Sequence, residues 1–134
     1  MPESKVAFQT NSLFRSVEFD GFNWQFQFDD GINVSVSGFW RLLKDGEINL
    51  VSLDHGHQFG LPKPVDLVEW LSERCIGQRL IELRANESTG DLQATMTGGL
   101  TLEIFIASTG YETYQFSIAG KSYVGMGGGE IAIV

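Results

Sequence analysis

Two stretches of the chain alternate strictly between apolar and polar residues around a glycine turn, and this pattern constrains the fold most. Residues 24–28 (Trp-Gln-Phe-Gln-Phe) and 32–36 (Ile-Asn-Val-Ser-Val) flank Asp29-Asp30-Gly31. Alternation with a period of two is typical of a half-buried strand, and a short Asp-Gly turn is typical of a β-hairpin. We therefore predict a hairpin whose apolar side chains share one core face: Trp24, Phe26, Phe28, Ile32, Val34 and Val36.

A second hairpin of the same kind follows at an offset of 68 residues. Residues 92–96 and 100–104 alternate in the same phase around Thr97-Gly98-Gly99. In each half the next features are an aromatic strand and a glycine turn: Trp40 and Gly46 in the first half, Tyr114 and Gly120 in the second. An internal duplication and the chance match of two alternating hairpins both account for this correspondence.

The one helical pattern lies between these halves, at about residues 64–76. Asp66 and Glu69 have the spacing of a capping box, and Gly77 is placed as a C-terminal cap. A length of 134 residues is that of one domain, spanning 1–134. We predict a mainly β (α+β) fold: two antiparallel β-meanders packed as a sandwich or a partly open barrel, with the helix covering an edge or an end.

The first residues and the single cysteine allow further expectations. Residues 1–12 are polar and unpatterned, which favours a loose start. Cys75 has no partner for an internal disulfide or a cysteine-based zinc site, so we interpret it as a small core residue of a protein from a reducing cytosol. No long apolar run and no signal peptide are present, so we expect a cytoplasmic protein without a membrane partner.

The charge balance bears on the kind of partner. The net charge is −8, with 17 acidic and 9 basic residues, which argues against direct binding of nucleic acid and permits a basic protein partner. Acidic residues cluster near predicted turns of both halves. The first set is our preferred interface and contains Asp29, Asp30, Asp45, Glu47 and Asp54; the second contains Glu87, Asp91 and Glu112.

Asp54-His55-Gly56-His57 is the one cluster whose residue types suggest metal binding or catalysis. Its two imidazoles and carboxylate could bind zinc or supply a base. The alternative is that Asp54 caps a turn while His55 and His57 bond the backbone or face water. Trp40 likewise has two interpretations, as an outward recognition platform beside Arg41 or as a core residue.

Motifs of the common catalytic classes are missing. The chain has no G-x-S-x-G element, and Gly127-Gly128-Gly129 lacks the residues that a phosphate-binding loop requires. We therefore predict no enzymatic activity, no cofactor and no metal.

Over about residues 20–134 the chain resembles the small bacterial immunity proteins encoded beside polymorphic toxins and contact-dependent growth inhibition systems. The residues behind this resemblance are Phe39-Trp40-Arg41, Asp54-His55-Gly56, Phe59-Gly60, Gly90-Asp91-Leu92, Tyr111-Glu112-Thr113-Tyr114 and Gly127-Gly128-Gly129-Glu130. The resemblance implies a protein that binds a cognate toxin, a basic nuclease, and covers its active site with an acidic surface. The partner-binding residues expected from this are Asp29, Asp30, Trp40, Asp45, Glu47, Asp54, His55 and His57.

Two further hypotheses stay open beside the immunity protein. A small-ligand or metal-binding domain would use the Asp54-His55-Gly56-His57 loop at the mouth of a pocket. A structural module would form a homodimer through an exposed strand such as residues 131–134.

Overall fold

The computed structural model describes residues 6–134, which form eleven strands, one α-helix and two short 3₁₀-helices. The strands are β1 (Val6–Phe19), β2 (Trp24–Phe28), β3 (Asn33–Val36), β4 (Phe39–Lys44), β5 (Glu47–Val51), β6 (Arg79–Ala85), β7 (Leu92–Met96), β8 (Leu100–Phe105), β9 (Tyr114–Ile118), β10 (Lys121–Gly125) and β11 (Ile131–Ile133). The helix α1 spans Leu67–Cys75, and the 3₁₀-helices span Ser52–Asp54 and Gly127–Gly129. The prediction of a mainly β protein with one helix is confirmed for these residues.

All strands belong to one antiparallel sheet in the order β11-β10-β9-β3-β2-β1-β6-β7-β8-β4-β5. The long strand β1 joins its two halves, because its first part pairs with β6 and its last part with β2. The halves face each other, as the contacts between Trp24 and Trp40 and between Phe8 and Phe116 show. The result is a sandwich with open edges at β5 and β11.

The expectation of a loose start over residues 1–12 is wrong from Val6 onward. Strand β1 begins there and pairs with β6, with Val6 opposite Ala85 and Phe8 opposite Leu83. Ser12 is buried and donates to the Asp30 carboxylate at 2.8 Å. Residues 6–12 are polar enough to look unpatterned, but long-range pairing makes them a strand. The remainder of the predicted loose segment, residues 1–5, lies outside the described residues.

The strand order has the two-fold pattern expected of an internal duplication, one of the two explanations that the sequence left open. Each strand of β1–β5 has a counterpart five strands later in the chain, so that β1 corresponds to β6 and β5 to β10. When every strand is replaced by its counterpart and the order is read from the other end, the same order of ten strands results. The predicted meanders are nevertheless not continuous, because β4–β5 pairs with β8 and β9–β10 pairs with β3. Each unit of five strands therefore gives its last hairpin to the other unit, which makes the two units interdependent.

The core between the halves contains the apolar residues that the alternation predicted. All six apolar residues of the first hairpin are buried, and so are those of the second. Cys75 is also buried, which raises the pKa of its thiol to about 12 and supports the interpretation as a core residue.

The helix is shorter than the predicted 64–76. Asp66 is its N-cap and accepts from the Glu69 amide at 3.2 Å, as the capping-box spacing suggests. Pro64 and Val65 stay outside because Val65 is tied to the preceding loop by its own backbone bonds. At the other end Ile76 leaves the helical conformation and Gly77 follows with φ +79°. Leu67, Leu71 and Cys75 face the core.

Candidate protein-binding groove

A groove of about 720 Å³ lies where α1, the loop before it and the end of β1 meet. We call it the α1 groove. Its lining is mostly apolar, with charged groups at the rim: Phe19, His55, Leu61, Pro62, Lys63, Pro64, Val65, Asp66, Val68, Glu69 and Trp70. This size and composition are typical of sites that accept an apolar group within a polar rim.

His55 joins the three parts of the groove. Its Nδ1 accepts the backbone N–H of Leu67 at 3.0 Å, in the first turn of α1. Its ring meets Phe19 and Trp24 edge-on, with centroids at 5.1 Å in both cases. Because Nδ1 is the acceptor, the proton of the neutral ring is on Nε2. His55 is therefore a structural link between helix and sheet, in agreement with the backbone-bonding interpretation.

The loop between His55 and α1 is closed by backbone hydrogen bonds. Gly56 donates to the Val65 carbonyl at 2.9 Å, and Val65 donates to the His57 carbonyl at 2.7 Å. The side chain of Phe59 is exposed at the tip of the loop and stacks on the ring of His57, with centroids 5.5 Å apart. These backbone hydrogen bonds brace the short loop, and apolar side chains on it face solvent.

The turn between β1 and β2 presents a second exposed aromatic residue. One carboxylate oxygen of Asp20 accepts the amides of Asn23 at 2.7 Å and Phe22 at 2.8 Å, which keeps the pKa of Asp20 below its ordinary value. The side chain of Phe22 is 84% exposed in this turn. Phe19, at the end of β1, lies in the groove wall, and Phe22 follows it three residues later in the adjoining turn.

The segments that form the groove are strongly acidic. Residues 16–24 and 52–70 contain five carboxylates and a single cation, Lys63. Two of the carboxylates, Asp66 and Glu69, line the groove itself and are exposed. Apolar surface within an acidic rim is suited to a basic partner with an apolar side chain to insert.

The predicted interface residues do not lie on one edge. Asp29, Asp30 and Asp45 lie in the tight turns β2–β3 and β4–β5, and Glu47 is the first residue of β5. Asp54, His55 and His57 follow β5 and lie at its opposite end. The five residues of β5 span about 16 Å, so the two groups are well separated.

Cations accompany the acidic residues at the tight turns. Arg15 forms an ion pair with Asp29 through two hydrogen bonds, which lowers the pKa of that carboxyl. Lys44 donates to the Gly98 carbonyl in the neighbouring turn. The carboxylates at these turns therefore have cations nearby, as Asp66 and Glu69 have Lys63 at the α1 groove, and the groove differs from the turns in its apolar lining.

Trp40 does not form an outward platform. Its relative exposure is 0%, and its ring packs edge-to-face on Trp24 and Phe26. The core interpretation of Trp40 is confirmed, and a partner would reach it only if the sandwich opened. The alternating pattern of β4 places Trp40 and Leu42 inward, while Arg41 pairs outside with Glu103.

The second acidic set borders a smaller polar hollow of about 350 Å³. Glu87 and Asp91 line it together with Arg84 and Glu103, while Glu112 does not. The Asp91 carboxylate accepts the backbone amide of Ile106 at 2.8 Å, so it braces the loop between β6 and β7. Like the α1 groove, this hollow contains one cation among its acids, and it has less apolar surface than that groove.

The residues of the α1 groove left signals in the sequence that the prediction did not use. Phe22 and Phe59 are aromatic residues inside glycine-containing loops, where polar residues are usual. An aromatic residue in a turn is either covered by another element or available to a partner. The sequence could not show that the end of β1 and the loop before α1 line one groove with the helix, because that depends on the fold of β1.

Comparison of the chain with protein-family models, with curated proteins and with solved structures finds no match. Within residues 6–134, no helix is long and apolar enough to span a membrane, and no group of three or more His, Cys, Asp or Glu side chains is arranged to hold a metal ion.

Proposed function

We propose that this chain is a binding protein that neutralises a cognate bacterial toxin, a basic nuclease, in the cytoplasm of the cell that makes it. The observation that carries the proposal is the α1 groove, an apolar recess with Asp66, Glu69 and Lys63 at its rim and exposed aromatic residues in the two adjoining loops. Exposed apolar surface rimmed by polar groups marks protein-interaction sites. The resemblance to immunity proteins supports the same kind of partner.

The charge of the groove indicates how neutralisation would work. A nuclease carries a cationic cleft for phosphate groups, and Asp66 and Glu69 would occupy that cleft in place of phosphates. Phe22 and Phe59 would supply desolvated anchors beside the ion pairs, as aromatic residues do in many interfaces. Long-range attraction between the acidic protein and the basic toxin would also accelerate association.

The decisive experiment is calorimetric titration with the protein domain encoded immediately upstream of this chain, at low and at high salt. We expect nanomolar affinity that weakens as salt screens the ion pairs, together with loss of nuclease activity in the complex. The absence of binding at both salt concentrations would contradict the proposed function.

Substitutions then test whether the α1 groove is the interface. Phe22→Ala removes an exposed anchor and should weaken binding by at least about tenfold, with little change in folding stability. Asp66→Asn with Glu69→Gln removes two charges, and because Asn is also a good N-cap, the helix start is retained. We expect this double variant to associate more slowly and to lose part of the salt dependence.

The matched control is Glu47→Gln, which removes one exposed charge at the start of β5, next to the β4–β5 turn. It should leave affinity nearly unchanged. If Glu47→Gln weakens binding while the groove variants do not, the interface is at the tight turns and the groove assignment is wrong.

A further inference from the structure

The two edges of the open sheet differ in how well they are protected against pairing with another strand. Unpaired edges expose backbone donors and acceptors, and proteins usually protect them with charges, bulges or covering elements. Edge strand β5 has a register shift against β4, a charged residue at Glu47, and a hydrogen bond from Arg74 of α1 to Asn49 at 2.6 Å. Edge strand β11 consists of Ile131-Ala132-Ile133 and has none of these features among residues 6–134.

The hydrogen-bond pattern identifies which backbone groups of β11 point outward. Ser122 and Val134 exchange both of their backbone hydrogen bonds, so Val134 points toward β10. Since hydrogen-bonded and non-hydrogen-bonded pairs alternate along an antiparallel ladder, Ala132 opposite Val124 also points toward β10. The N–H and C=O groups of Ile131 and Ile133 therefore face away from the sheet.

We propose that β11 is the contact between two copies of this chain, which pair antiparallel about a two-fold axis at Ala132. The sequence Ile-Ala-Ile is the same in both directions, so the axis places Ile131 opposite Ile133 of the second copy. Those two residues have their backbone groups directed outward, and the register allows four backbone hydrogen bonds between the copies. Such a contact is isologous, the commonest form in homodimers.

Side chains and charges are compatible with this register. Ile131 packs against the core, whereas Ile133 on the same face of the strand is 62% exposed. In the dimer Ile131 of one copy lies beside Ile133 of the other, which reduces that exposure. Glu130, the charged side chain nearest to the strand, lies opposite Val134 of the second copy, whose side chain is apolar. A second copy fits this edge better than a charged strand would.

The oligomeric state of the 134-residue chain, measured by sedimentation over a range of concentrations, tests the proposal. We expect a reversible dimer in the wild-type protein. Ile133→Pro removes an outward N–H and no hydrogen bond to β10, so it should weaken dimerisation by at least about tenfold while the fold is retained. Ile133→Lys, which introduces like charges across the axis, should have the same effect. Ile48→Lys at the exposed β5 edge is the matched control and should not alter dimerisation.

A cysteine variant tests the register itself. Ala132 lies on the proposed axis as a non-hydrogen-bonded pair with its own copy, with Cα atoms about 4.5 Å apart, which a disulfide can span. Oxidised Ala132→Cys should therefore form a covalent dimer, whereas Ile48→Cys should not. Native Cys75 is buried and does not compete. A wild-type chain that is monomeric at all concentrations, or a dimer that survives Ile133→Pro, would overturn the proposal.

Discussion

The two units of five strands are built alike and differ in the segment that comes after their last hairpin. After β5, a 3₁₀-helix leads into the braced loop and α1, which together form most of the α1 groove. After β10, a 3₁₀-helix of glycines leads directly into β11. The same structural position therefore carries the α1 groove in one unit and, among the described residues, an uncovered sheet edge in the other.

The two units keep the same strand order although only one of them carries the loop and α1. The loop and α1 are inserted between β5 and β6, and every strand from β1 to β10 still has its counterpart in the other unit. The groove also uses Phe19 of β1, so the inserted segment depends on the sheet for one of its walls. Substitutions at corresponding positions of the two units should show which residues stabilise the strands common to both units and which stabilise only the loop and α1.

The largest expected effect is at Trp40, which corresponds to Tyr114 in the second unit. Trp40→Ala should lower the free energy of unfolding by about 3–5 kcal/mol, because it empties a fully buried site at the contact between the halves. Chemical denaturation measures this change. Among the described residues the Trp40 indole N–H has no hydrogen-bond partner, so Trp40→Phe should cost much less. Equal losses for both variants would contradict a packing role.

The second expected effect is specific to the inserted segment. His55→Ala leaves the Leu67 amide without its acceptor and removes the ring between helix and sheet, so we expect a loss of about 1–3 kcal/mol in unfolding free energy. Hydrogen exchange should increase first in α1. His57→Ala is the control, since His57 is exposed, and should change stability by less than about 0.5 kcal/mol. A larger effect at His57 would indicate that the histidines act as a pair.

A smaller effect is expected from the hydroxyl of Tyr114. It donates to the Gly90 carbonyl at 2.8 Å, a bond that ties β9 to the loop between β6 and β7. Tyr114→Phe keeps the ring and should lower the unfolding free energy by about 1 kcal/mol. Tyr111→Phe, at an exposed position three residues earlier, should have no measurable effect. Comparing the loss of stability in Tyr114→Phe with that in Trp40→Phe then shows whether Tyr114 stabilises its unit through a hydrogen bond and Trp40 stabilises its unit through packing alone.

Local patterns predicted the strands well and their partners poorly. The alternation of Trp24–Phe28 and Leu92–Met96 fixes their faces and their lengths, because side-chain direction depends only on neighbouring residues. The exchange of hairpins depends on whether β4 continues beside β3 or crosses to β8. Gly38 precedes the crossing strand in the first unit, and residues 106–113 precede it in the second. Neither connection contains a pattern that distinguishes a turn within one sheet half from a crossing.

The site was harder to predict for the same reason. Acidic residues near turns could be found in the sequence, but whether cations lie beside them depends on long-range pairing. Asp29 is next to Arg15 only because β1 pairs with β2. The neighbours Asp54 and His57 suggest a metal-binding or catalytic role for His55. Its hydrogen-bond partner in the structure is instead the Leu67 amide in the first turn of α1. Residue type indicated which side chains could bind a partner, and the fold decided which of them already pair with other groups of the protein.

The smallest expected effect concerns the first turns of the two units, which carry Asp29 in one and Thr97 at the corresponding position in the other. The Arg15 hydrogen bond holds the pKa of Asp29 below its ordinary value, so the ion pair stabilises the folded state above the unfolded pKa of about 4. This stabilisation is lost as the pH falls through the lowered folded pKa.

We therefore expect Arg15→Gln to be slightly less stable than wild type at pH 7 and equal to it at strongly acidic pH. Denaturation at a series of pH values measures the difference. Thr97→Val in the second unit is the control, since Thr97 does not titrate and its loss should be independent of pH. If the two variants respond to pH in the same way, the ion pair is not the origin of the effect. The surface pair is exposed, so high salt should also reduce the difference between Arg15→Gln and wild type.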